Sequence, residues 1–239
     1  MKRALVSGGS GTIGAAICRE LSRAGWEVLV HANANPERAE ALAAELIGAG
    51  GRAQSVRFDL VDGAKASSAL VALLEAGPIQ GIVHNAGIHD DAPMAGMSAR
   101  QWHSVIDVSL HGFFNLAQPL LLPMLRTRWG RIVALSSVSG LIGNRGQTNY
   151  AAAKAGLHGA VRSLALEIGS RGVTVNCVAP GIIDTPMTAG LFDAARIEKL
   201  VPLRRAGTPQ EVAELVGFLM SDRAGYITGQ VVSINGGMA

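Results

Sequence analysis

A glycine-rich turn between an apolar run and a helical pattern constrains this chain more than any other feature. The run Arg3–Ser7 leads into Ser7-Gly8-Gly9-Ser10-Gly11-Thr12-Ile13-Gly14, and a helical pattern follows at once. Glycines permit a tight turn and a close approach of the backbone to a pyrophosphate, and the helix N-terminus offers unpaired N–H groups. The turn therefore predicts a dinucleotide-binding site. The residues predicted to form it are Gly8, Ser10, Gly11, Thr12, Ile13 and Gly14.

The rest of the chain alternates short apolar runs with longer helical patterns. Strands are predicted near Arg3–Ser7, Glu27–His31, Ala53–Phe58, Gly81–His84, Arg131–Ser136, Thr174–Val178 and Gln230–Ile234. Helices are predicted over Ile13–Ala24, Pro36–Gly48 and Tyr150–Gly169, with Gly25, Gly50 and Gly172 as stops. Apolar strands alternating with helices predict a single α/β domain with a Rossmann-like, doubly wound parallel sheet of about seven strands. Ligands of such sheets bind at the carboxyl ends of the strands.

Composition and charge argue against several other classes of protein. With 49% hydrophobic and 16% charged residues among 239, the chain can bury a sizeable core. Cys18 and Cys177 are expected to be reduced core thiols. The net charge of +3, without a long basic run, argues against nucleic-acid binding, and no histidine has the spacing of a metal ligand. The apolar stretch Leu116–Leu125 is too short to span a bilayer, so a soluble, cytoplasmic protein is expected.

The end of the second predicted strand bears on the cofactor. No acidic residue occurs between Ala32 and Asn35, where an NAD site usually places one for the ribose 2′-hydroxyl. Without an acid to repel a 2′-phosphate, the sequence favours NADP(H), with Asn33 and Arg38 as candidate contacts. Arg38 is also interpretable as an ordinary solvated helix residue.

A phenol and an ammonium are predicted to share one helix face. Tyr150 and Lys154 stand at i and i+4. A nearby cation favours the phenolate, so Lys154 is expected to lower the pKa of Tyr150 and improve proton transfer near neutrality. Ser137 follows the strand Arg131–Ser136 and places a hydroxyl where it could bind a substrate carbonyl. The three side chains form a candidate catalytic group.

These motifs together resemble the short-chain dehydrogenase/reductase family. The resemblance rests on Ser137, Tyr150 and Lys154, on the glycine turn, on His84-Asn85-Ala86-Gly87, and on Pro180-Gly181-Ile182-Ile183-Asp184-Thr185. It extends over essentially the whole chain. The segments Gly143–Gly156 and Tyr226–Gln230 are most similar to the 3-oxoacyl-[acyl-carrier-protein] reductases.

The resemblance implies a role for each matching residue. Tyr150 would be the general acid, Ser137 would orient the carbonyl, and Lys154 would hold the nicotinamide ribose and tune Tyr150. Further cofactor contacts implied in the same way are Asp59, Leu60, Asn85, Ala86, Gly87, Pro180, Gly181, Ile183 and Thr185. Asp59 could in addition cap the helix that follows it.

Two positions depart from the family pattern. Thr12 replaces the middle glycine of the usual turn, and the spacing Gly8, Gly11, Gly14 is similar to that of the extended branch of the family. Ser109 stands where the family usually has a fourth catalytic residue, an asparagine that helps a water feed protons to the lysine. Ser109 is therefore a candidate catalytic residue whose shorter side chain departs from the family's proton relay.

The resemblance implies an NADPH-dependent reduction of a 3-oxoacyl group on acyl carrier protein, in fatty-acid or polyketide-like synthesis. Alternatives are a dehydrogenase of a free alcohol, sugar or coenzyme A thioester, and a catalytically weak NADP(H)-binding subunit. A homotetramer is also implied. Arg128 and Arg171 match positions that dock the acidic carrier protein, and they are expected beside the mouth of the active site. They could equally be solvated charges at strand and helix ends.

Overall fold

One parallel sheet organises the molecule. The computed structural model describes residues 1–186, 188, 190 and 192–239. The strands are β1 (Arg3–Ser7), β2 (Glu27–Ala32), β3 (Arg52–Arg57), β4 (Gly81–His84), β5 (Gly130–Leu135), β6 (Val173–Pro180) and β7 (Val231–Ile234). They lie in the order β3-β2-β1-β4-β5-β6-β7, and every adjacent pair is parallel. The Rossmann-like, doubly wound fold predicted from the sequence is confirmed, and each strand lies within two residues of its predicted ends.

Helices connect the strands and cover both faces of the sheet. They are α1 (Thr12–Arg23), α2 (Pro36–Gly48), α3 (Gly63–Leu74), α4 (Ala99–Ile106), α5 (Gly112–Arg126), α6 (Ser139–Ile142), α7 (Thr148–Ile168), α8 (Ala194–Leu200) and α9 (Pro209–Leu219). Gly25, Gly50 and Gly172 have positive φ angles just beyond helical segments, as the sequence predicted for helix stops.

The sheet separates two hydrophobic cores because successive strand residues point to opposite faces. In β1, Val6 packs in one core with α1, α2 and α9, whereas Leu5 packs in the other with α3, α5 and α7. Cys18 and Cys177 are buried free thiols, one in each core. The residues of β1, β4, β5 and β6 are buried throughout, which explains their near-continuous apolar sequences.

A long helical run differs from the sequence expectation. Helices α4 and α5 join through a π turn at Asp107–His111 into one run, Ala99–Arg126, that includes Pro119 and Pro123. By length and composition alone this run is long and apolar enough to cross a membrane, so the expectation that the apolar stretch Leu116–Leu125 is too short is wrong. Its buried face, which includes Leu116 and Leu120, packs into the second core.

The strand order reverses between β1 and β4, and that reversal places the functional residues. Helices α1 and α2 cover one face, while α3, α5 and α7 cover the other. A crevice therefore opens at the carboxyl ends of these strands, beside Ser7, His84 and Leu135.

Substitution of Gly172 tests how closely the segments before β5 and β6 pack against each other. A β-carbon at Gly172 would collide with the carbonyl oxygen of Arg128, whereas one at Gly50 would meet no atom within 4 Å. Both glycines have positive φ, so alanine costs each about 1–2 kcal/mol in backbone strain. We expect Gly172→Ala to lower the free energy of unfolding by at least about 1 kcal/mol more than Gly50→Ala, as overpacking does. Denaturant unfolding measures both, and equal losses would contradict the close packing of Gly172 on Arg128.

Candidate active site

The turn between β1 and α1 is tightly folded and leaves a helix N-terminus open. The N–H of Gly9 donates to the carbonyl of His31 at 2.8 Å, and the N–H of Gly11 donates to that of Gly8 at 3.0 Å. A β-carbon at Gly14 would collide with the carbonyl oxygen of Gly8, so only glycine fits there. Gly11 is the N-cap of α1 and has no side chain to accept from the first turn. The N–H groups at residues 12 and 13 are thus placed for an anionic ligand.

The segment after β4 packs directly on this turn. The Nδ2 group of Asn85 donates to the carbonyls of Ser7 and Gly8, at 3.2 and 3.0 Å. A β-carbon at Gly8 would lie 3.0 Å from Cα of Ala86, which explains why the two segments need small residues. Residues 85–87 therefore line the same crevice as the glycine turn, and the side chain of Asn85 holds the turn in place.

The end of β2 offers no negative charge to a nucleotide. Ala32 is buried, and Asn33 follows it at the surface. Arg38 is exposed on the first turns of α2. An exposed guanidinium near the strand end, with no carboxylate between Ala32 and Asn35, is compatible with a 2′-phosphate.

The end of β3 differs in one detail from the sequence interpretation. Asp59 does not cap a helix: its Oδ1 accepts from the N–H of Val61 at 2.9 Å, and Asp62 caps α3 instead. Leu60 is buried and its carbonyl accepts from Nδ2 of Asn115 on α5 at 2.7 Å. Asp59 and Leu60 are thus both held in place just beyond the carboxyl end of β3.

The candidate catalytic side chains come together at the end of β5. Ser137 follows β5, and Tyr150 and Lys154 lie one turn apart on α7. The Ser137 hydroxyl lies close enough to the Tyr150 phenol to affect its pKa. The ammonium of Lys154, only 3% exposed, donates to the carbonyl of Leu135 at 2.8 Å and lies 5.6 Å from the centre of the Tyr150 ring. The structure therefore unites all three residues.

Burial controls the electrostatics of this group. It raises the pKa of Tyr150 above its usual value of 10.0, while the hydrogen bond with Ser137 acts in the opposite direction and the charge of Asp91 adds to the rise. The expectation of a lowered pKa for Tyr150 is wrong here, because desolvation of the phenol is the largest effect on it. Burial also lowers the pKa of Lys154 to about 8.

Ser109 lies next to Lys154 inside the π turn. It is fully buried, and its Oγ has no hydrogen-bond partner among the described residues. A β-carbon at Gly87 would stand 3.0 Å from the Lys154 ammonium and 3.5 Å from Ser109 Oγ. The two polar groups therefore face the same small space. A π turn interrupts the regular helical ladder and is frequent at functional sites.

The carboxyl end of β6 closes the other side of the crevice. The Pro180 carbonyl accepts from the N–H of Val138 at 2.7 Å, which brings β6 beside Ser137. The N–H of Gly181 donates to Ile234 on β7 at 3.0 Å. Ile183 is buried, and Thr185 begins the next turn. These four predicted positions, Pro180, Gly181, Ile183 and Thr185, lie on one continuous segment at the site.

Comparison with known proteins agrees with this geometry. Residues 8–239 match the family model described as "Enoyl-(Acyl carrier protein) reductase". The chain belongs to the short-chain dehydrogenase/reductase family.

Its relatives in this family are similar over their whole length. The chain is 44% identical over 236 residues to a 3-oxoacyl-[acyl-carrier-protein] reductase FabG of Aggregatibacter actinomycetemcomitans, covering 98% of each protein. It is 45% identical to the FabG of Chlamydia muridarum, covering 100% of this chain and 97% of the relative. It is 43% identical to that of Pseudomonas aeruginosa, covering 99% and 97%.

The structure adds a residue that the sequence analysis missed in this family member. Asn149 is fully buried, and its Nδ2 donates to the carbonyls of Asp90 and Gln101 at 3.0 and 2.9 Å. Its Oδ1 accepts from the N–H of Tyr150 at 2.8 Å. Asn149 therefore fixes the start of α7 and the backbone of the phenol. A polar amide immediately before the candidate general acid was the available signal.

The two candidate docking arginines do not border this site within one chain. Arg128 and Arg171 are exposed and lie close together, but they precede β5 and β6 at the amino ends of these strands. The site is at the carboxyl ends, about 20 Å away along a six-residue strand. The expectation that they lie beside the active-site mouth is wrong for a single chain, because the full lengths of β5 and β6 separate them from the site.

The histidines show no metal site in the described part of the chain. No group of three or more histidine, cysteine or acidic side chains that could hold a metal ion occurs among those residues. The buried rings are instead bonded to their surroundings: His31 to Phe58 and Gly8, His84 to Ser7 and Ser109, and His158 to Ser136.

Proposed function

We propose that this protein is an NADPH-dependent reductase of 3-oxoacyl groups carried on acyl carrier protein. The observation that carries the proposal is the grouping of Ser137, Tyr150 and the buried Lys154 at the carboxyl end of β5, on the same edge of the sheet as the glycine turn. The full-length similarity to proteins named 3-oxoacyl-[acyl-carrier-protein] reductase supports the choice of substrate. The product is the 3-hydroxyacyl group, made for fatty-acid or polyketide-like synthesis.

The chain's own residues bind and protonate the carbonyl oxygen. When bound, the nicotinamide supplies a hydride to the carbonyl carbon. Ser137 Oγ orients the carbonyl oxygen, and the Tyr150 phenol donates its proton to that oxygen as negative charge develops there. The raised pKa of Tyr150 keeps the phenol protonated at neutral pH, which is the form a reduction requires. Lys154 holds a positive charge close to the ring and carries hydrogen-bond donors for the cofactor ribose.

Several features fit the nicotinamide cofactor and favour its phosphorylated form. The turn needs glycine at positions 8 and 14, where a β-carbon would crowd Ala86 and the Gly8 carbonyl, and the N-terminus of α1 opens from this turn. The absence of an acid from Ala32 to Asn35, with Arg38 exposed nearby, favours NADPH over NADH. Asn33, Asp59 and Leu60 would enclose the adenosine.

We further propose that the carrier protein docks on Arg128 and Arg171 in an oligomer. These arginines are far from the active site of their own chain, so they would serve the site of a neighbouring subunit. A homotetramer of the kind implied by the family resemblance provides such neighbours. The protein would work in the cytoplasm, where the acidic carrier protein is its partner.

Removal of the phenol hydroxyl tests the chemistry. We expect Tyr150→Phe to lower kcat by about 100- to 10,000-fold with the NADPH dissociation constant nearly unchanged, because the ring remains and only the proton donor is lost. Steady-state rates with NADPH and NADH should be measured on 3-oxoacyl carrier protein, 3-oxoacyl coenzyme A, an enoyl thioester and a free ketone. Near-normal turnover by the variant, or a wild type that prefers the enoyl thioester or NADH, would contradict the proposal.

The pH dependence tests Lys154. The value of kcat/KM reports groups of the free enzyme. Because the pKa of Lys154 is lowered to about 8, its ammonium is lost above that pH, so kcat/KM for reduction should fall as the pH rises through about 8. The raised pKa of Tyr150 keeps the phenol protonated over the same range. Lys154→Gln should be slow and lack this decline. A wild-type profile that stays flat to about pH 10 would refute the assignment.

Charge reversal tests the docking surface. Arg128→Glu with Arg171→Glu should raise KM for carrier-bound substrate, most strongly at low salt, and leave a small uncharged β-keto ester unaffected. Arg52→Glu with Arg223→Glu changes the same charge at other exposed positions and serves as the control. Equal losses on both substrates, or an equal effect of the control pair, would show that Arg128 and Arg171 do not dock the carrier.

A further inference from the structure

A buried histidine joins the glycine turn to the lysine side of the site. His84 is the last residue of β4, lies between Ser7 of β1 and Ala134 of β5 in the sheet, and is fully buried. Its Nδ1 lies 3.2 Å from Ser7 Oγ, and its Nε2 lies 2.9 Å from the carbonyl oxygen of Ser109. The ring therefore spans the crevice floor from β1 to the π turn.

The surrounding hydrogen bonds determine which nitrogen of this ring carries the proton. Ser7 Oγ accepts from the N–H groups of Asn85 and Ala86, at 3.1 and 3.0 Å. With both of those positions taken by donors, the Ser7 hydroxyl must give its own proton to Nδ1 of His84. Nδ1 is therefore an acceptor, and the single ring proton is on Nε2, where it is donated to the Ser109 carbonyl.

The charged groups near the ring favour the same state. Lys154 approaches from α7 and His31 from β2, and neither is negative. Burial and then the charge of Lys154 lower the pKa of His84 to about 3, so the ring is neutral at physiological pH. Phe113 of α5 packs against it edge-on, with ring centres 5.7 Å apart, and fixes its plane.

The hydrogen bond from His84 reaches Ser109, whose hydroxyl lies beside Lys154. His84 holds the backbone carbonyl of Ser109 within the π turn. The side chain of Ser109 faces the space beside Gly87, which the Lys154 ammonium also faces. Without the hydrogen bond from His84, Ser109 could rotate away from Lys154, because Ser109 Oγ has no hydrogen-bond partner among the described residues.

We propose that His84 is a positioning residue for the reaction: it ties the π turn to the end of β1 and so keeps Ser109 Oγ facing the ammonium of Lys154. The inference rests on the proposed reductase function and extends it to a residue that does not touch the substrate. It predicts that loss of the bond to Ser109 slows the chemical step without weakening cofactor binding.

Two amide substitutions separate the two ends of the ring. In His84→Asn the amide reaches Ser7, where Nδ1 stood, but is too short for Ser109. In His84→Gln the amide reaches the position of Nε2 and can donate to the Ser109 carbonyl. We expect His84→Asn to lower kcat by about 10- to 100-fold, the scale of a small displacement at a catalytic site, with the NADPH dissociation constant and KM changed by less than about twofold. His84→Gln should restore most of kcat.

A second substitution tests the other end of the connection. Ser109→Ala keeps the carbonyl that His84 holds but removes the hydroxyl, so it should reproduce the loss of kcat. The double variant, with His84→Asn and Ser109→Ala together, should be no slower than the slower single variant, because both changes break one connection. Additive losses, equal kcat for the Asn and Gln variants, or losses that follow the fall in melting temperature would overturn the proposal.

Nuclear magnetic resonance of the ring nitrogens provides a test that needs no turnover. The signals that disappear in His84→Asn identify the ring among the six histidines. We expect a neutral ring protonated at Nε2 that takes up no second proton down to about pH 5. A ring protonated at Nδ1, or one that titrates near its usual pKa of 6.5, would refute the positioning role even if the reductase activity is confirmed. An inactive wild type with the expected ring state would instead count against the proposed function.

Discussion

Backbone groups at the carboxyl ends of the central strands lose their strand partners, and the site depends on how side chains replace those partners. Buried N–H and carbonyl groups are costly when unpaired. At the end of β1, Ser7 Oγ accepts from two N–H groups after β4. At the end of β5, the carbonyl of Leu135 accepts from the Lys154 ammonium. The side chains that satisfy the backbone at the strand ends, Ser7 and Lys154, are therefore also side chains that form the crevice. A change in either would alter both the strand end and the crevice.

This arrangement explains why a charged group can stay buried beside the candidate general acid. An isolated ammonium in a protein interior is strongly destabilised, and Lys154 shows part of that cost as a pKa lowered to about 8. Its bond to Leu135 offsets some of the cost and aims the ammonium toward Gly87 and Ser109. For Tyr150, which is half-buried, burial acts in the opposite sense, since it favours the neutral, protonated form. The site thus combines a protonated phenol with a cation whose pKa is lowered.

The sequence predicted the sheet, the glycine turn and the union of Ser137, Tyr150 and Lys154, because these follow from local patterns repeated along the chain. It did not predict the π turn at Ser109, since interruption of a helical ladder depends on tertiary contacts such as the one from His84. It gave the wrong sign for the pKa of Tyr150, because spacing reports the neighbouring charge but not the depth of burial. The predicted strand between Arg128 and Ser137 already separated the two residues, so the expectation that Arg128 lies beside the site conflicted with the predicted strand itself.

The two buried histidines at the strand ends share one physical logic. His31 accepts the N–H of Gly8 at Nδ1 and donates from Nε2 to the Phe58 carbonyl, as His84 accepts from Ser7 and donates to Ser109. Each ring needs one unprotonated nitrogen as a hydrogen-bond acceptor. A second proton on the ring would therefore break a hydrogen bond that stabilises the glycine turn. Burial lowers the pKa of both below 6.5, and the unfolded chain therefore binds more protons than the folded chain as the pH falls below that value. The contribution of these rings to stability is complete above about pH 6.5 and is lost progressively toward the lowered pKa values, that of His84 being about 3. The turn that would hold an anionic cofactor is thereby supported by groups that must themselves remain uncharged.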